Sequence, residues 1–156
     1  MWHTPILNAP LDLPDEAATL ALGAHLSRSL AAPLLVYLQG DLGAGKTTLM
    51  RGLLRGLGYA GRVKSPTYTL LESYDLPGFT LNHFDLYRLC DPREWLEAGF
   101  DELCGRDSVC VIEWPQRAAG ALPPADAWLE LKVQGTGRQC SVRAESERGK
   151  RWLQPG

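Results

Sequence analysis

The segment Gly40-Asp41-Leu42-Gly43-Ala44-Gly45-Lys46-Thr47 constrains this chain more than any other. A glycine, four residues and then Gly-Lys-Thr is the spacing of a phosphate-binding P-loop. The flanks supply the context such a loop requires. The apolar run Leu34-Leu35-Val36-Tyr37-Leu38 before it reads as a buried strand, and Leu49, Met50, Leu53, Leu54 and Leu57 after it recur with helical period. Gly40, Gly43 and Gly45 free the backbone to take positive φ and to approach a ligand closely. Successive N–H groups can then converge as a nest for phosphate oxygens, and the helix start adds the positive end of its dipole. In this arrangement Lys46 reaches the β- and γ-phosphates of a nucleotide and the Thr47 hydroxyl sits on Mg²⁺.

Size and charge narrow the remaining choices. The 156 residues point to one domain, 1–156, able to bury a core without disulfides or metals. A net charge of −2 argues against a protein that grips nucleic acid alone through a broad basic face. Cys90, Cys104, Cys110 and Cys140 show no C-x-x-C pair, so reduced, mostly buried thiols are expected. His3, His25 and His83 have no metal-ligand spacing. No apolar run has membrane-spanning length, and Met1-Trp2-His3-Thr4-Pro5 lacks the form of a signal peptide. A cytoplasmic location is the expectation.

Elsewhere the pattern is that of an α/β chain. Pro14-Asp15-Glu16 starts a helix whose stripe is Ala18, Leu22, Leu26 and Leu30, ended by Ala31-Ala32-Pro33. Gly58 stops the helix after the P-loop. Residues 68–74 and 79–84 read as strands of a hairpin about Asp75-Leu76-Pro77-Gly78. Asp91-Pro92 begins a helix that Gly99 ends. Val109-Cys110-Val111-Ile112 is wholly apolar, as in a sheet covered on both faces. Residues 128–133 and 140–144 form a second hairpin about Gly135-Thr136-Gly137, and the charged tail, 147–156, is expected to fray.

Two acids stand at strand ends: Asp85 after Leu81-Asn82-His83-Phe84, and Glu113 after the apolar strand. Ligands of open α/β sheets collect at the carboxyl ends of strands, so both can face a γ-phosphate, one toward Mg²⁺ and the other toward the attacking water. The bland alternative is a loop cap or a pair with Arg88. Ser65-Pro66-Thr67 reads on spacing alone as a turn, and as a switch only if a hydroxyl completes the Mg²⁺ shell. Trp114 reads as packing, Arg62 and Lys64 as a solvated loop, and Arg138, after a glycine turn, is a candidate to reach the nucleotide.

These pieces occur together in one family. Gly-Asp-Leu-Gly-Ala-Gly-Lys-Thr-Thr at 40–48, Val-Lys-Ser-Pro-Thr-Tyr-Thr-Leu at 63–70, His-Phe-Asp-Leu-Tyr-Arg-Leu at 83–89 and Val-Ile-Glu-Trp-Pro at 111–115 resemble the TsaE (YjeE) family in the same order. Those proteins are the small bacterial P-loop ATPases of tRNA threonylcarbamoyladenosine biosynthesis. The resemblance implies a P-loop NTPase fold with a mixed, mostly parallel sheet flanked by helices, with β-hairpin additions. It implies ATP and Mg²⁺ as cofactors. The nucleotide would be held by Asp41, Leu42, Gly43, Ala44, Gly45, Lys46, Thr47 and Thr48, with Trp114 beside the pocket. It makes Thr47 and Glu113 the Mg²⁺ contacts, Asp85 a second acid for hydrolysis and possible ligand, and Thr67 a switch. It also implies TsaB and TsaD as partners, with tRNA reached through them at adenosine 37. With Lys46, Asp85 and Glu113 as the catalytic set, the expected activity is slow ATP hydrolysis, because no arginine finger is evident.

The rival from another class is a nucleotide-gated interaction module, in which ATP binding alone fixes the partner surface. A metabolite kinase lacks support, since no Arg-rich lid segment is present. A GTPase lacks it too, since the Asn-Lys-x-Asp motif is absent and the asparagines are Asn8 and Asn82.

Overall fold

The computed structural model describes residues 10–154; the N-terminal reading of 1–5, and His3 and Asn8 with it, lie outside them. A seven-stranded sheet has the order β1-β7-β6-β2-β5-β4-β3. Its strands are β1 (Leu11–Leu13), β2 (Leu34–Gln39), β3 (Leu71–Leu76), β4 (Phe79–Asp85), β5 (Ser108–Glu113), β6 (Ala127–Gln134) and β7 (Gly137–Ala144). The centre, β6-β2-β5-β4, is parallel. Antiparallel pairing adds β3 at one edge and β7 and β1 at the other. The result is an α/β fold with a mixed sheet and a parallel core.

Both faces of the centre are covered, which is why β5 could be apolar throughout. Val36, Leu38, Leu81, Val109 and Val111 pack with α1 (Glu16–Ser27), α2 (Lys46–Gly56) and α4 (Glu147–Leu153). Tyr37, Phe84, Cys110 and Ile112 face the other way, toward Trp95 of α3 (Arg93–Glu97) and Ala118. Alternation along each strand thus fills two cores from one sheet.

The helix after the P-loop is held against α1 by two small residues. A Cβ on Gly23 would overlap the Leu49 carbonyl oxygen, and one on Gly52 the Leu20 carbonyl oxygen. The helix backbones therefore touch where any side chain would part them. α1 begins as its sequence announces, with the Asp15 side chain accepting from the Ala18 N–H at 2.9 Å, but it ends at Ser27. Leu30 lies beyond the helix and packs on the core from the following turn.

Three other expectations need correction. The tail does not fray over 147–153. Ser146 caps α4 by accepting from the Gly149 N–H at 3.1 Å, Trp152 and Leu153 are buried, and the Trp152 indole donates to the Leu26 carbonyl at 2.8 Å. The charges of this stretch face solvent while its last two apolar residues anchor it. β3 starts at Leu71 rather than at 68, because residues 66–69 form a turn and Leu70 takes φ 68°. The cysteines are divided, with Cys110 and Cys140 buried, Cys104 intermediate and Cys90 exposed. Among the described residues no helix is long and apolar enough to cross a membrane.

Alanine is the better helix former by about 1 kcal/mol, yet Gly52→Ala is expected to lower the unfolding free energy by about 1–3 kcal/mol, the cost of overpacking. Urea denaturation reads it; a neutral or stabilised variant contradicts the backbone contact.

Candidate active site

The P-loop joins β2 to α2. Gly43 at φ 84° and Gly45 at φ 99° sit in the left-handed region that side chains disfavour. Gly45 occupies the N-cap position of α2, no side chain caps this end, and its first turn carries no acid. The first-turn N–H groups are thus left to an incoming anion. The Ala44 N–H is occupied within the loop by the Asp41 carbonyl at 2.9 Å.

Parallel pairing sets the acids beside this end of the helix. Asp85 of β4 lies opposite Glu113 of β5, and both are buried. Lys46 Nζ reaches Glu113 Oε1 at 2.8 Å. From the other side His83 Nε2 meets Glu113 Oε2 at 2.6 Å. An ionised carboxylate only accepts, so this imidazole nitrogen donates. Burial pushes the Glu113 carboxyl up, but His83 and then Lys46 outweigh it and hold the group below the usual carboxyl range. Asp85 Oδ1 accepts from the Tyr87 N–H at 2.9 Å. It caps the turn after β4, as one reading of the sequence had it, and faces the site as well. Arg88 does not pair with it; its guanidinium lies over the Tyr68 ring, 4.6 Å from the centroid.

Leu42, Gly43, Gly45, Lys46, Thr47, Thr48, Ser65, Thr67, Asp85, Glu113, Trp114 and Arg138 line one cleft of about 560 Å³ with Tyr87. Asp41 lines an adjoining pocket of about 270 Å³, shared with Lys46 and Trp114. Ala44 is buried beneath the loop, whereas Leu42 is 92% exposed at its tip. Arg62 and Lys64 are exposed and stay outside the cleft. Ser65 and Thr67 share a hydroxyl–hydroxyl hydrogen bond of 2.7 Å. Trp114, in the left-handed region at φ 57°, stands edge-on to Tyr87 with centroids 4.9 Å apart. Arg138 Nη2 donates to the Gly43 carbonyl at 2.8 Å and so steadies the loop.

Among the described residues no group of three or more His, Cys, Asp or Glu side chains could hold a metal ion. The cleft offers instead hard oxygen donors from Thr47, Thr67, Asp85 and Glu113. That set fits Mg²⁺, which is commonly bound by one or two carboxylates together with substrate phosphates. His83 was missed by sequence reasoning. The available signal was its spacing, two residues before Asp85 and so on the same face of β4.

Comparison with known proteins places the chain in a family. Residues 13–142 match the family model described as threonylcarbamoyl adenosine biosynthesis protein TsaE. A Haemophilus influenzae protein named tRNA threonylcarbamoyladenosine biosynthesis protein TsaE is 43% identical over 143 residues, covering 88% of this chain and 90% of its own. Its Bacillus subtilis namesake is 36% identical over 123 residues, 78% and 75% of the two chains. The crystal structure of Bacillus subtilis YdiB superposes with TM-score 0.74 at 28% identity over 92% of this chain and 90% of that one. The chain belongs to the TsaE family.

A lowered folded-state pKa makes Glu113 stabilising above its ordinary value of 4.5, and that contribution is lost as pH falls through the lower folded value. Glu113→Gln is therefore expected to cost on the order of 3 kcal/mol at neutral pH, the cost of breaking a buried pair. The gap to wild type should narrow on acidification below about pH 4.5. Denaturant melts at several pH values measure it; a penalty that does not change with pH contradicts the ionised, doubly held carboxylate.

Proposed function

We propose that this protein is a P-loop NTPase: the Mg²⁺-dependent ATPase subunit required to form threonylcarbamoyladenosine at position 37 of ANN-decoding tRNAs. It acts in the cytoplasm with TsaB and TsaD. The observation that carries the reading is the Lys46–Glu113 pair of 2.8 Å at the uncapped N-terminus of α2, with Asp85 alongside. A cation, free amides and two strand-end acids are what phosphoryl transfer to water asks of a protein.

Each group has a definite task. The loop amides and Lys46 hold the triphosphate and stabilise charge as it develops on the transferring group. To do so Lys46 exchanges one oxyanion, Glu113, for another, the phosphate. Thr47, Glu113 and Asp85 would hold a magnesium ion, which would supply positive charge against that of the phosphates. Asp85 or Glu113 directs the attacking water. Arg138 is tied to the Gly43 carbonyl, and with no second arginine lining the cleft the unaided rate is slow. The net charge of −2 suits a subunit that meets tRNA through its partners.

Lys46→Ala is expected to weaken ATP binding by about ten- to a hundredfold, the loss of one charge-assisted contact. It should also reduce phosphate release by the assembled complex to background. Calorimetry and a phosphate-release assay measure the two; wild-type values in both sink the proposal.

A second reading has its own support. Leu42, which lines the cleft, is 92% exposed, Tyr68, next in sequence to the cleft residue Thr67, is 78% exposed, and Ser65 and Thr67 bond each other. In that reading ATP re-forms this rim for a partner, and hydrolysis is incidental. Asp85→Asn, which should bind ATP without hydrolysing it, separates the two. A single round of tRNA modification followed by a stall supports the ATPase cycle, and full multiple turnover supports the gated module.

A further inference from the structure

His83, a residue of β4, is 1% exposed. On β4 it pairs in register with Val111, one alternation below the Asp85–Glu113 level, and so lies on the same face as both acids. Its Nε2 lies 2.6 Å from Glu113 Oε2. Its Nδ1 is buried without a partner among the described residues. Among the described residues the one polar contact of this ring is therefore the Glu113 carboxylate. A buried polar side chain with one unmet atom costs stability, and the bond to Glu113 is what this ring sets against that cost.

The division of the carboxylate explains what that cost secures. Oε2 points inward to the imidazole, and Oε1 points outward to Lys46. When Lys46 turns to phosphate, Oε1 is released at the cleft wall while Oε2 stays fastened. Without the inner fastening a glutamate, with its freely rotating terminal torsion, would swing with Lys46 or offer both oxygens at once.

We propose that His83 is a positioning residue: by gripping Oε2 of Glu113 from within the sheet, it presents Oε1 alone to the divalent ion or its bound water. The role resembles the outer hydrogen bonds that orient metal-binding carboxylates elsewhere, whose loss commonly costs ten- to a hundredfold in metal affinity or activity. This inference rests on the ATPase reading above.

The test compares wild type with His83→Leu, which keeps bulk but donates nothing, and His83→Gln, whose amide can donate from nearly the same place. ADP affinity in EDTA is read by calorimetry, and Mn²⁺ affinity of the ADP complex by electron paramagnetic resonance. The kcat and KM for ATP are read in the assembled complex. His83→Leu is expected to bind metal-free ADP within about twofold of wild type. It should lose about tenfold or more in Mn²⁺ affinity and in kcat with little change in KM, and His83→Gln should recover most of both. A leucine variant with wild-type Mn²⁺ affinity and kcat overturns the proposal, as does a glutamine variant as impaired as leucine. Wild type that takes up neither ADP nor Mn²⁺–ADP overturns the ATPase reading itself, and with it this one. If His83→Leu does not fold, nitrogen-15 imidazole spectra of wild type decide: the Nε2–H form should persist on adding Mg²⁺ and ADP, and its loss overturns the proposal.

Discussion

The site depends on a carboxylate taken out of water. Glu113 is buried with charged or polar partners on both oxygens, Lys46 on one and His83 on the other. Burial of an anion is tolerable only when it is paired, and here the pairing has a second effect. It keeps Lys46, the one cation on the loop, parked at the spot where it is needed. The attraction that stabilises the empty site is the one that a phosphate must displace, so the protein carries a stand-in for part of its ligand. The net gain on binding is a difference between two ion pairs, not the full strength of either.

That arrangement is built by sheet register more than by the loop. Parallel pairing of β4 with β5 brings Asp85 level with Glu113, and pairing of β5 with β2 brings Glu113 level with Leu38, just before the loop. The loop's helix is then packed closely on α1, through Gly23 and Gly52. Both glycines sit in helices where propensity disfavours them, yet only a residue without Cβ lets the two backbones meet.

Local patterns were readable, and distant pairings were not. The loop, its strand, its helix and both acids could be found from spacing, because each is specified by residues within a few positions of one another. The four motif segments added the family, which no single pattern carried. β1 was invisible: three residues, Leu11–Leu13, become a strand only because β7 is there to pair with. α4 was hidden by composition, since Glu147, Arg148, Lys150 and Arg151 outnumber the Trp152-Leu153 that seat it. His83 looked like an ordinary strand residue until the neighbouring strand put a carboxylate beside it. The helical glycines looked like liabilities until the facing helix explained them.

The seating of α4 has a consequence for how the chain is made. The Trp152 indole closes on the Leu26 carbonyl across 126 residues of sequence, and Leu153 joins the same core as Met50 and Leu53. A ribosome therefore releases α1, β2 and the loop helix long before their cover exists. Until α4 emerges, that apolar flank stays wet and open to chaperones or to a neighbouring nascent copy.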